Sequence, residues 1–173
     1  MDATGTALCT GHGGDGLNTA ATRPFDRDTA LRIARAFLPK HPLGNRWDYY
    51  YTLAKLRSDP LYPGVLQALR GSDAPVLDLG CGLGLLAHAL RADGQHMAYR
   101  GVDNDAAKIT RANKVAEKNA LVDTRFDVVD LAGGPPAHQG SVAILDVLQY
   151  LDAQGQRRLI AQVSAMLTPG ARL

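Results

Sequence analysis

Cysteine is nearly absent from this chain: Cys9 and Cys81 are the only two, far apart and in unlike surroundings. They can build neither a disulfide framework nor a closely spaced thiol pair for metal or redox chemistry, and a reducing, cytoplasmic setting is expected. An excess of one charge sign is lacking too, since 19 basic side chains face 17 acidic ones for a formal net charge of +2. That balance supplies no strong field toward nucleic acid or a membrane surface, and no basic strip interleaved with aromatics is seen, so no nucleic-acid partner is expected. No apolar run approaches the roughly 20 residues of a membrane span, and no basic segment followed by an apolar core opens the chain, so nothing directs it out of the cell. Histidines are few, and His12, His88, His96 and His138 have no partner at ligand spacing, so they are read as solvated or structural and no metal is expected.

What is present suffices for one core: 173 residues, 46% of them hydrophobic. Residues 1–24 are rich in Gly, Thr, Ala and Asp with almost nothing to bury, and are expected to be a disordered tail. Residues 25–72 read as a helical segment. Asp28 is a plausible N-cap for a helix using Ala30, Ile33, Ala34 and Phe37, which Pro39 ends. A second helix follows Asn45, with Trp47, Tyr50, Tyr51 and Ala54 on one face; Trp47, Tyr50 and Tyr51 are expected in the core, with Tyr49 more exposed. A third covers residues 63–70, with Gly71 placed to stop it.

Residues 73–173 alternate strand and helix. Short apolar strands are expected at 76–79, 99–102, 124–129 and 142–145, and helices at 85–91, 105–119 and 152–167, the last two capped by Asp105 and Asp152. The alternation specifies an α/β fold, a Rossmann-like parallel sheet with helices on both faces, preceded by the N-terminal helices.

The strongest local signal is Val76, Leu77, Asp78, Leu79, Gly80, Cys81, Gly82, Leu83, Gly84: an apolar strand, three glycines at alternate positions, then a helix. Such glycines permit a tight turn and close approach of a ligand to backbone. A dinucleotide fits poorly, because its fingerprint needs glycine where Leu85 stands, and no phosphate-loop GxxxxGK[ST] element exists. A carboxylate two residues before the first glycine suits a cation or a set of hydrogen-bond donors better than a pyrophosphate. Asp103 ends the second strand near the spacing at which an acid can receive ribose hydroxyls. Asp130 ends the third strand, Asp127 being read as a surface residue.

The DxGxGxG pattern closely resembles the first motif of class I S-adenosylmethionine-dependent methyltransferases. The resemblance implies that S-adenosyl-L-methionine is the cofactor, with Asp78 at its methionine end and Gly80, Cys81, Gly82 and Gly84 as the loop against it, Cys81 suiting the loop by size. It also implies Asp103 at the ribose, Asn104 beside the adenine, and Asp130 at the adenine amino group with a backbone group of Leu131. The segment from Ile144 to Leu151 resembles the border of cofactor and substrate, making Asp146 and Gln149 candidates; Gln149 stands where a histidine is common and cannot readily take a proton, so no general base is named. Tyr49 is a candidate for an aromatic lid over the acceptor. Methyl transfer to a small-molecule or lipid-like acceptor is expected. The rival readings are a non-catalytic, truncated cofactor-binding or interaction module, and a nucleotide-dependent oxidoreductase.

Members of that family carry seven strands, whereas residues 167–173 look like the turn into a fifth. The last strands of the fold are therefore expected to be missing, leaving the edge at residues 142–145 open and inviting self-association.

Overall fold

The computed structural model describes residues 25–173; the expected tail at 1–24, with His12, lies outside them. Helix α1 (Arg27–Ala36) is followed by α2 (Trp47–Ser58) and α3 (Leu61–Leu69). Strand β1 (Val76–Leu79) then leads through the glycine turn into α4 (Leu85–Ala92), followed by β2 (Tyr99–Asp103), α5 (Ala106–Lys118), β3 (Thr124–Val128), β4 (Ser141–Ile144) and α6 (Ala153–Ser164). Single 3-10 turns at Leu131–Gly133 and Leu148–Tyr150 were not foreseen.

The four strands are parallel in the order β3-β2-β1-β4. Strand alternation sorts side chains onto two layers. Leu77, Leu79, Val102 and Val142 face α6 through Leu159 and Val163. Val76, Tyr99, Phe126 and Ala143 face the other way, into a core completed by α1 to α5. The N-terminal helices thus share a core with the sheet: Ile33 of α1, its C-cap Phe37, Leu56 of α2 and Leu66 of α3 pack with Leu86 and Leu90 of α4. Each fully buried leucine contributes about 1.5 to 3 kcal/mol of transfer free energy.

Three local expectations are corrected. The N-cap of α1 is Asp26, whose carboxylate accepts from Thr29 N at 2.9 Å, while Asp28 lies inside the first turn; the residue whose oxygen reaches the third free N–H wins. On α2 the buried positions are Thr52 and Leu56, one turn apart, with Leu53 half-buried beside them. Trp47, Tyr50 and Tyr51 are exposed and Tyr49 is half-buried, the reverse of the expected order. Apolar and polar residues are spread so evenly round this helix that aromatic content misidentifies its inner face. Finally, the β4 edge is not wholly open: Val142 N donates to Arg172 O at 2.9 Å, Arg172 N to Ser141 Oγ at 3.0 Å, and Ser72 Oγ to Gly170 O at 3.0 Å. Among the described residues no further strand lies beyond β4.

Two buried features of the α1 to α5 layer are testable. Gly84 has φ 73°, and a Cβ there would drive into the Phe126 ring. Gly84→Ala is expected to destabilise the chain by about 1 to 3 kcal/mol, read as a lowered denaturant midpoint. His88 is 5% exposed, sits edge-on to Phe37, and its Nε2 has no partner among the described residues, so burial pulls its pKa from 6.5 down to about 4. A depressed histidine contributes stability above pH 6.5 that is lost as pH falls toward 4. Melting temperatures across that window are expected to fall less for His88→Leu than for the unmodified chain.

Candidate functional site

The carboxyl ends of the strands open into a cleft of about 600 Å³. β1 delivers Asp78 to its floor. The carboxylate is 2% exposed: Oδ2 accepts from Tyr99 OH at 2.5 Å, and Oδ1 has no partner among the described residues. Register explains the pairing. Asp78 lies opposite Gly101 of β2, so Tyr99, two residues earlier, shares its face. Burial raises the Asp78 pKa from 3.8 to about 7; the Tyr99 hydrogen bond opposes the rise, and the Asp103 charge adds to it.

The glycine turn follows. Gly82 has φ 56° and nothing stands where its Cβ would be, so the loop presents bare backbone to the cleft. Asp103, 8% exposed at the end of β2, fixes that loop: Oδ2 accepts from Gly82 N and Oδ1 from Asp105 N, each at 2.9 Å. Asp105 in turn caps α5 through Ala107 N and Lys108 N. Asp130, past the end of β3, accepts from Ala132 N and starts the 3-10 turn that carries Leu131. The cleft wall takes in Asp78, Gly80, Cys81, Gly82, Asp103, Asn104, Asp130, Leu131 and Asp146, nine positions that the sequence singled out.

Three singled-out positions are not on that wall. Gly84 is required by the Phe126 ring, a packing constraint inside the core. Gln149 points along the surface, its amide 3.4 Å from Asp146 O. Tyr49 stacks edge-on with Tyr50, and of the three consecutive tyrosines it is Tyr51 that reaches the cleft.

Among the titratable cleft residues, Lys55, Tyr62 and Lys108 went unnoticed in the sequence, and Tyr51 was expected in the core. Lys55 lies one helical turn after Tyr51, which is the signal that could have found it. Its ammonium contacts Asp146 Oδ2 at 2.7 Å and also Asp59. Burial works against that charge, but the hydrogen bonds it donates to Asp146 and Asp59 outweigh it and hold the amine above the usual lysine range. Asp146 receives this contact from a left-handed backbone, φ 57°, uncommon for a residue with a Cβ. Tyr62 is held protonated, its pKa raised by burial first and by the Asp78 charge second. Burial, with the charges of Asp78 and Asp103 behind it, also pushes the Cys81 thiol up and keeps it protonated, excluding a thiolate nucleophile.

Titratable side chains on the cleft wall are then four aspartates, two lysines, three tyrosines and one cysteine, with the Lys55 ammonium already paired to Asp146. Such a site favours a cationic guest. Because the Asp78 pKa is raised on folding, the ligand-free chain loses stability as pH climbs from about 4 to about 7, and the loss stays complete above that. Asp78→Asn keeps an acceptor for Tyr99 and removes the buried charge. It is expected to melt several degrees above the unmodified chain at pH 8, with the gap closing near pH 4.5; equal melting temperatures at both values would contradict the burial cost.

Comparison with known proteins agrees with this architecture. A family model described as a methyltransferase domain matches residues 76–170. The ubiquinone biosynthesis O-methyltransferase of Xylella fastidiosa (strain 9a5c) is 31% identical over 103 residues, 59% of this chain and 41% of that protein. The enzyme of the same name from Xanthomonas campestris pv. campestris (strain B100) is 28% identical over 159 residues, 87% of this chain and 64% of the relative. The chain thus spans between 41% and 64% of the length of these relatives. Among solved structures, a SAM-dependent methyltransferase from Thiobacillus denitrificans in complex with S-adenosyl-L-homocysteine superposes with a TM-score of 0.51 and 26% identity, covering 64% of this chain and 44% of that one. With the model matched from the first strand through the turn after α6, and the same parallel sheet beneath it, the chain belongs to the methyltransferase-domain family and has the Rossmann-like fold of class I S-adenosylmethionine-dependent methyltransferases.

Proposed function

We propose that the cleft binds S-adenosyl-L-methionine and that the chain serves methyl transfer to a small-molecule or lipid-like acceptor. The observation that carries this reading is Asp78: a carboxylate buried in the central strand, with one oxygen lacking a partner, at the floor of a cleft whose aspartates outnumber its lysines. A ligand with an ammonium group and a sulfonium meets both needs, supplying donors to the open oxygen and positive charge to the acidic wall. A pyrophosphate would face that wall with charge of the same sign.

The chain's own residues then divide the work. Asp78 holds the amino group of the methionine end. Gly80, Cys81 and Gly82 lie along the ligand, Gly82 presenting backbone. Asp103 spends two lone pairs on the N–H groups of Gly82 and Asp105 and keeps capacity for ribose hydroxyls. Asn104, Asp130 and Leu131 border the adenine. When bound, the sulfonium supplies a methyl group that is already activated. What remains for the protein is placement and exclusion of water. Tyr51, Tyr62, Tyr150 and Leu151 give the acceptor end of the cleft an aromatic, mostly apolar lining. Tyr62, kept neutral, can donate a hydrogen bond there but cannot act as base, and Lys55 is equally unable to take a proton.

Calorimetry with S-adenosyl-L-methionine, S-adenosyl-L-homocysteine and NAD tests the reading. Binding of the adenosyl ligands with no heat from NAD is expected, and the reverse pattern would sink the assignment. Asp103→Ala is expected to weaken cofactor binding by about 1 to 3 kcal/mol, because the ribose hydroxyls lose a charged acceptor and the Gly82 loop loses its anchor.

A further inference from the structure

The near-neutral total charge conceals a basic region that shares no lining residue with the cleft. The turn between α1 and α2 meets the outer face of α5 around a hollow of about 530 Å³, whose wall includes Lys40, Arg111, Lys114 and Lys118 against Asp48 and Glu117. Arg46 adds a further cation from the same turn, its guanidinium folded onto Pro42 O at 3.2 Å. One of the two acids is already engaged: Asp48 pairs with Arg111 at 3.5 Å, which also fastens the start of α2 to α5. Beside these cations stand three large apolar side chains in solvent, Leu43 at 90%, Trp47 at 67% and Tyr50 at 58% exposure. Trp47 and Tyr51 lie one helical turn apart on α2, with Tyr50 three residues after Trp47, and Tyr51 lines the cleft, so an aromatic stripe runs along α2 from this patch to the cleft mouth.

We infer that this patch docks the protein on an anionic lipid surface, with Leu43, Trp47 and Tyr50 entering the interface and Lys40, Arg46, Arg111, Lys114 and Lys118 over the headgroups. Both halves of the patch suit that occupant. Tryptophan and tyrosine favour the boundary between headgroup and acyl chain, and clustered lysine and arginine are drawn to anionic leaflets. A second copy of the chain fits less well, because a two-fold pairing would set five cations against the same five. A nucleic acid leaves the exposed aliphatic Leu43 without a role, and Asp48 and Glu117 interrupt any track for a phosphate backbone. Docking here would present the stripe, and through it the cleft, to an apolar acceptor held in the bilayer. The docking itself rests on the patch alone and stands whether or not the cofactor reading does.

Trp47 is the single tryptophan of the chain, so its emission reports directly on the patch. The experiment titrates the full chain with vesicles of phosphatidylcholine alone and of phosphatidylcholine with about one-third phosphatidylglycerol, following Trp47 emission and sedimentation with the lipid. A blue shift and co-sedimentation with the anionic vesicles only, weakened by added salt, are expected. The double variant Lys40→Glu, Lys114→Glu is expected to lose at least about 25-fold in lipid partition, given a loss of roughly fivefold for each cation removed. Both positions are solvent-exposed, so its melting temperature and its emission in buffer should match the unmodified chain. The proposal is overturned by silence with both vesicle types, by equal binding to neutral and anionic lipid, or by a shift that grows with protein concentration in buffer alone, which would mean self-association. A shift with a single-stranded oligonucleotide and none with vesicles overturns it as well.

Discussion

A carboxylate inside a strand that is buried along its whole length is the constraint on which the rest of this molecule turns. Asp78 occupies a position where an apolar side chain would pack at no electrostatic cost, and it does so with a single hydrogen-bond donor, Tyr99. The consequences spread by contact. Tyr99 is held edge-on by Phe126, at 5.8 Å between ring centroids, and Phe126 occupies the space that Gly84 leaves free. The last glycine of the turn is thus tied to the first acid of the site through two aromatic rings. The charge of Asp78 reaches further, keeping Tyr62, Tyr99 and Cys81 protonated in company with burial. A site so arranged is incomplete in electrostatic terms, and a cationic ligand completes it. Folding stability is held down at the position where binding affinity is gained, the usual trade at a functional site.

Charge is distributed with equal consequence at larger scale. The cleft wall carries an excess of aspartates, while the far side of α5 and the turn before α2 carry an excess of lysine and arginine. The two cancel in the sum, which is why the net charge of +2 suggests no field at all. Lys40, Arg46, Arg111, Lys114 and Lys118 belong to two segments that only the fold brings together, and α2 lies between the two regions with an end in each. Its exposed aromatic face borders one, and Lys55 reaches into the other.

The parts of the fold that were legible in the sequence are those decided locally. All four strands and their parallel direction follow from short apolar runs separated by helical periodicity and glycine, and the nine residues on the cleft wall follow from the resemblance to the methyltransferase motif together with the rule that strand ends and the turns after them face one edge of a parallel sheet. The errors were local too, but they arose where two local answers were nearly equal in merit. Asp26 and Asp28 are both good caps two residues apart, and only the direction of the Thr29 N–H decides between them. On α2 the aromatic residues promised the larger apolar area, yet the core beneath accepts Thr52 and Leu56, and the bulky face was left outside.

Gly84 marks a different limit. A glycine in a motif invites the inference that a ligand needs its backbone, and for Gly82 the open space around it agrees. For Gly84 the demand comes from a phenylalanine 42 positions later, across two strands, and no motif of neighbouring residues contains that information. Lys55 and Asp146 make the same point at the cleft mouth, where a contact spanning 91 positions joins a lysine of α2 to an aspartate in a left-handed turn after β4, a pairing that no local pattern contains. The strand ends of such a domain can be read in order along the chain, whereas the side chains that close its cleft come from the helices laid over it. Those helices choose their inner faces by what fits the sheet, so the residues that line the acceptor end become visible only once the packing of α2 and α3 is known.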